Sequence, residues 1–230
     1  ICRQNCIRAD NFGHGLSLTN LATTTLFFMG AYQFFHSLNP VTDEVLGTYP
    51  IHTAEDVAVA VEKAQEATLL WQRLGHDGRQ KILLDWCKVL VGRIDECARL
   101  ISLETGKPTS DATLEATLAF GHLAWAAKNA HSVLRDQFRR PGILMANMSA
   151  KVEHSPVGVV GVIGPWNYPI FTPMGSISYA LAAGNAVVFK PSEFTPGVGV
   201  WLADTFAEVA PSASIFTVIT GKGDTGRALC

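Results

Sequence analysis

Apolar positions along this chain fall into two rhythms, helical in the first half and strand–turn–helix in the second. From Thr53 onward Val57, Val61, Ala64, Leu70, Trp71 and Leu74 recur at helical spacing, which predicts one amphipathic helix over residues 54–74. Thr53 suits its N-cap, and Asp56 sets a carboxylate against its positive end. Gly75 and Gly78 are expected to break it. A second helix is predicted from about Arg79 to Thr105, with Ile82, Leu83, Trp86, Leu90, Ile94, Ala98 and Ile101 on one side. Gly106-Lys107-Pro108 ends it, and a third helix is predicted over about residues 110–135.

The character then changes. Residues 143–155 alternate loosely and hold Lys151, Glu153 and His154, as an exposed ribbon would. Past Pro156, Val157–Ile163 is a continuous apolar run flanked by glycine, read as a strand buried on both faces. A helix over 171–183 closes at Gly184-Asn185, Ala186–Phe189 is a second buried strand, 197–209 a second helix, and Ile215–Ile219 a third strand. This β-α-β-α-β order implies parallel strands joined by right-handed crossovers. The predicted fold class is α/β: N-terminal helices followed by an incomplete Rossmann-like parallel sheet.

With 48% hydrophobic and 17% charged residues, the 230-residue chain can bury a sizeable core and falls outside the disordered class. A net charge of -2 gives no pull toward nucleic acid or an anionic membrane. No apolar run reaches the roughly 20 residues of a membrane helix. Neither kind of partner is expected. Cys2, Cys6, Cys87, Cys97 and Cys230 lack metal-ligand spacing, so no metal is expected. A core-rich chain of this size needs no disulfide staples, and a reducing cytoplasm is the expected setting. Residues 1–28 are rich in Thr and Asn and show neither period. Arg3 and Arg8 against the single acid Asp10 admit a transit peptide; the other reading is a leftover of gene-fragment translation, with Met29 as the start.

Each predicted strand runs into a loop whose polar groups a buried strand does not need, at the carboxyl edge where open α/β sheets hold ligands. In Gly164-Pro165-Trp166-Asn167-Tyr168-Pro169 two prolines stiffen the backbone and Trp166 supplies an apolar wall. Asn167 either donates its amide to a developing oxyanion or caps the next helix. In Lys190-Pro191-Ser192-Glu193 the two charges either pair at the surface or grip the hydroxyls of a ribose. In the second case the carboxylate repels a 2′-phosphate and favours NAD over NADP. The third loop, Gly221-Lys222-Gly223-Asp224-Thr225-Gly226, matches no phosphate-binding fingerprint and taken alone is a tight turn. Glu104 to Pro108 reads as a helix end, and Trp71, Trp86 and Trp125 read as core.

Together these pieces resemble the aldehyde dehydrogenase superfamily. The resemblance is carried by Glu104-Thr105-Gly106-Lys107-Pro108, Pro156 to Gly161, Pro165-Trp166-Asn167-Tyr168-Pro169, Ala183 to Val188, Lys190 to Pro196 and Gly221 to Asp224. Asn39-Pro40-Val41-Thr42, with Gly47 after it, fits the usual start. The match covers about residues 37–230 and leaves 1–36 as an extension expected to be disordered. The ribbon near 139–156 is similar to the family's oligomerisation arm.

The resemblance implies a cofactor domain that holds NAD(P), with NADP the less expected form. By that analogy Ile163, Gly164, Pro165 and Trp166 line the cofactor. Lys190 and Glu193, with Ser192 between them, hold the adenosine ribose, and Gly223 lies near the adenine. Asn167 would be the side-chain half of an oxyanion hole. The implied reaction oxidises a small-molecule aldehyde through a Cys thiolate, with hydride transfer to nicotinamide and a Glu as hydrolytic base, in a homo-oligomer. The family's G-Q-x-C and E-L-G-G-K contexts and its G-S-T-x-x-G turn do not occur here, and Cys230 follows only Ala228-Leu229. The chain is therefore expected to be the front part of such an enzyme, inactive alone. A non-catalytic nucleotide-binding or assembly fragment and a reductase of acyl phosphates or acyl-CoA are the alternatives.

Overall fold

A computed structural model describes residues 33–230. The two readings of residues 1–28 lie outside the described residues. Strands β1 (Phe34–Leu38) and β2 (Val45–Pro50) pair as an antiparallel hairpin. Four helices follow: α1 (Ala54–Arg73), α2 (Gly75–Gly92), α3 (Ile94–Thr105) and α4 (Thr109–Leu134). A short antiparallel ribbon of β3 (Gln137–Arg139) and β4 (Ala150–Val152) leads into the sheet. There β5 (Val159–Ile163), α5 (Phe171–Ala182), β6 (Ala186–Lys190), α6 (Pro196–Ala207) and β7 (Phe216–Val218) alternate, and α7 (Gly223–Leu229) closes the order. The strands are parallel in the order β5-β6-β7.

Local chemistry explains most of these elements. Thr53 Oγ1 accepts from the Asp56 amide at 3.2 Å while Asp56 Oδ2 accepts from the Thr53 amide at 2.8 Å, a reciprocal cap that starts α1. Gly106 ends α3 in the left-handed region, φ 73°, which glycine enters without a Cβ penalty. The helices and sheet enclose a main core in which Trp71, Leu83, Trp86, Leu123, Phe189, Phe206 and Phe216 are buried, and a smaller one of Val57, Ala64, Ala186, Val188 and Ile219. Two of the buried indoles keep a polar partner: Trp71 Nε1 donates to the Leu181 carbonyl at 2.8 Å and Trp86 Nε1 to Thr205 Oγ1 at 3.1 Å.

Several expectations are corrected. The single second helix is two, α2 and α3, meeting at Arg93. The period hides the junction because Ile94 follows Leu90 in helical phase, and both helices bury their apolar faces in the same core. The break expected at Gly75 is present, since α1 ends at Arg73 and Gly75 takes φ 65°, but helix resumes at once and both Gly75 and Gly78 lie in α2. Only Val162 of β5 is buried, against every residue of β6, because β5 is an edge strand and β6 the central one. An apolar run alone does not distinguish the two. Residues 223–229 form a helix beyond the expected turn. Trp125 is half exposed on α4 rather than core. The boundary expected between residues 36 and 37 falls inside β1, whose Phe35 packs on Tyr49 with ring centroids 6.0 Å apart.

Candidate functional site

Two neighbouring strand tips are joined at their start. The Gly164 amide donates to the Lys190 carbonyl at 3.0 Å, just past the pairing of Ile163 with Lys190. The approach is close: a Cβ on Gly164 would lie 2.8 Å from the Phe189 ring. The loops leaving β5 and β6 therefore begin side by side. Trp166 from the first, Glu193 and Phe194 from the second and Lys222 from the third line one cleft of about 860 Å³, together with Phe34 and Glu104. Ile163 and Trp166 are exposed, and Pro165 is half-buried.

Lys190 is not the solvated end of a surface pair. It is 4% exposed, its Nζ donates to the Pro191 carbonyl at 3.1 Å, and Glu193 Oε2 stands 3.5 Å away. An ammonium has three donors, so capacity remains for a ligand hydroxyl. The Glu193 carboxylate, 35% exposed, sits in front of it. Ser192 is buried and its Oγ accepts from the Phe194 amide at 3.3 Å, so it shapes the loop from inside. Gly223 opens α7 with free space where a Cβ would stand. A carboxylate backed by a buried ammonium and flanked by an exposed indole is a donor and acceptor set that suits a ribose and a flat base; the residues fit a dinucleotide. Among the described residues no cluster of three metal-ligating side chains occurs.

Asn167 does not cap the following helix. That role belongs to Glu115 of α4, whose Oε1 accepts from the Ile170 and Phe171 amides at 3.1 and 3.3 Å. Its Oε2 takes Lys107 Nζ at 2.5 Å, and the same ammonium donates to the Asn167 carbonyl at 2.8 Å and stands 4.6 Å from the Tyr168 ring centroid. The Asn167 backbone is thus held while its exposed side-chain amide bonds to no described residue. It lines a second cleft, about 610 Å³, with Leu114, Leu118, Tyr168 and Phe171. Asn167 and Glu193 therefore share one edge of the sheet but line two clefts, divided at the step from Trp166 to Asn167.

In the sequence Glu104 and Lys107 have the pattern of a plain helix end. Glu104 is buried and accepts from Ser37 Oγ at 2.7 Å and from the Gly197 and Val198 amides at 2.9 and 3.1 Å, capping α6. Burial pushes its carboxyl up from the ordinary value, against the pull of these donors. Burial, and then the nearby Glu104 charge, likewise raise the Tyr49 hydroxyl. A signal existed: an acid in the last turn of α3 opposes the helix dipole and so implies a partner elsewhere. The third loop is tied to the hairpin, with Thr220 Oγ1 donating to the Pro50 carbonyl at 2.6 Å and Thr225 Oγ1 to the His52 carbonyl at 2.8 Å.

An open parallel α/β sheet with polar loops gathered at its carboxyl edge defines the class of protein. The aldehyde dehydrogenase family model matches residues 28–230, and the chain belongs to the aldehyde dehydrogenase family. The match begins ahead of residue 37, as β1 does. Over 200 residues the chain is 36% identical to N-succinylglutamate 5-semialdehyde dehydrogenase of Pseudomonas fluorescens (strain Pf0-1), covering 87% of this chain and 40% of that protein. Among solved structures it is similar to an NAD-dependent aldehyde dehydrogenase from Sinorhizobium meliloti, with TM-score 0.80, 33% identity and coverage of 86% of this chain and 39% of the other. It is also similar to an NADP-dependent glyceraldehyde-3-phosphate dehydrogenase from Bacillus halodurans C-125 complexed with NADP, with TM-score 0.79, 27% identity and coverage of 86% and 42%. The chain spans about 40% of the length of the curated relatives it matches.

Proposed function

We propose that this chain forms the cofactor-holding front part of an NAD-dependent aldehyde dehydrogenase, which oxidises an aldehyde to a carboxylic acid. The observation that carries this reading is the Gly164–Lys190 hydrogen bond, which starts the amide-bearing loop and the carboxylate-bearing loop from one point. Lys190 and Glu193 hold the adenosine ribose, Ile163, Gly164, Pro165 and Trp166 form the adjoining wall, Ser192 keeps the second loop in shape, and Gly223 leaves room for the adenine. Bound NAD supplies the hydride acceptor. Asn167 donates its side-chain amide to the aldehyde oxygen as negative charge develops there, a type of contact worth about 3 kcal/mol of barrier in other enzymes. The division into two clefts suits two bound molecules, with the cofactor's sugar at Glu193 and the aldehyde's carbonyl at Asn167.

The similar structures include both an NAD- and an NADP-dependent enzyme. The half-buried Glu193 carboxylate favours NAD here, because a 2′-phosphate would meet like charge. The β3–β4 ribbon carries Ile143 and Leu144 almost fully exposed at its tip, which supports a contact with a second copy of the chain. Among the described residues no helix is long and apolar enough to cross a membrane, and a cytoplasmic setting belongs to the same proposal. Calorimetric titration of the chain with NAD and with NADP tests the reading. NAD is expected to bind more tightly; equal affinity, or preference for NADP, contradicts the ribose assignment.

A further inference from the structure

The segment Glu104–Lys107 touches both loops that the proposed function uses. Glu104 accepts from Gly197 and Val198 at the start of α6, directly after the Lys190–Glu193 loop. Three residues on, Lys107 donates to the Asn167 carbonyl and to Glu115, which holds the Ile170 and Phe171 amides at the start of α5. Between them Gly106, φ 73°, reverses the chain, and a Cβ there would lie 3.1 Å from Pro40. The turn lets one side chain reach each loop.

We infer that this segment is a two-headed clamp: Glu104 is a positioning residue for the ribose-gripping carboxylate of Glu193, and Lys107 one for the amide of Asn167. The inference rests on the function proposed above. Glu104 and Lys107 border the two clefts, and each sets the backbone from which the working group projects. A buried carboxylate with three donors fixes the α6 start in a way one neutral acceptor does not, since each donor left over is buried unpaired. The Lys107 ammonium couples the Asn167 carbonyl to a carboxylate that is itself fixed by two amides. The two heads act on different loops, so their losses separate.

The test uses the 230-residue chain with NAD calorimetry and amide NMR. Glu104→Gln is expected to raise the NAD Kd about tenfold, while Lys107→Met stays within about twofold of wild type. Lys107→Met moves the Asn167 side-chain amide and the Ile170 and Phe171 backbone resonances, and Lys107→Arg restores them toward wild type. Gly197→Ala is a second route, because its Cβ would fall 2.8 Å from the Tyr49 hydroxyl and 2.9 Å from Glu104 Oε1 and so crowd the carboxylate without deleting it; it too is expected to weaken NAD. Should Glu104→Gln not fold, Gly197→Ala decides. Wild-type NAD affinity in the Glu104→Gln or the Gly197→Ala chain overturns the inference, as does Lys107→Met weakening NAD as much as Glu104→Gln, or leaving the Asn167 resonances in place. A wild-type chain with no NAD affinity overturns the proposed function, and this inference with it.

Discussion

The Gly164 amide and the Lys190 carbonyl stand 3.0 Å apart, and this one bond starts the loops after β5 and β6 side by side. It exists because residue 164 has no side chain. Phe189 is fully buried beneath it, so the ring has nowhere to retreat from an added methyl. Gly164→Ala should destabilise the chain by about 1–3 kcal/mol, the usual cost of overpacking. Urea denaturation measures it; an unchanged midpoint would show that the two tips are not in close contact.

Glu193 is the group that should choose between the cofactors. Glu193→Gln keeps the size and one acceptor but removes the charge. The variant should bind NAD about tenfold more weakly and lose most of its discrimination against NADP, in line with a lost charge-assisted hydrogen bond. The ratio of the two Kd values is the readout. A ratio equal to that of wild type would remove Glu193 from the ribose.

Asn167 and Glu115 should behave oppositely. The Asn167 side chain holds nothing in the described structure, so Asn167→Ala should leave stability within about 0.5 kcal/mol of wild type. Glu115 is buried and meets two amides and an ammonium, so Glu115→Gln should cost about 2 kcal/mol or more. Thermal denaturation of both variants checks the pair. A large loss in Asn167→Ala would return that residue to a structural role.

Stability should depend on pH through Glu104. Burial holds its folded carboxyl above the ordinary 4.5, so between the two values the folded chain binds more protons than the unfolded one. Stability then falls as pH rises; the contribution is full below the unfolded value and lost through the folded one. Wild type should lose stability relative to Glu104→Gln as pH climbs from below 4.5 toward neutrality. Urea midpoints of both proteins across that range test the sign, and a gap that is constant or widens the other way contradicts it.

Much of the fold was legible because its causes are local. The cap at Thr53, the stop at Gly106 and the apolar rhythm of α1, α5 and β6 need only neighbouring residues. What escaped depends on distant partners. The β1–β2 hairpin is anchored by Phe35 against Tyr49 and Ser37 against Glu104, pairings no local period carries. The exposure of β5 follows from which strand lies beside it. The amides at the start of α5 are capped by Glu115, a residue on another helix, and not by Asn167. Trp166, Asn167, Lys190 and Glu193 were legible as candidates because each is a polar or aromatic group placed where a buried strand ends. Glu104 and Lys107 were not, because their partners lie far along the chain.

The most direct measurement is an amide NMR titration of the chain with NAD. The account predicts shifts confined to Ile163, Gly164, Trp166, Lys190, Glu193 and Gly223, all at one edge of the sheet. No binding, or shifts centred away from that edge, would contradict it.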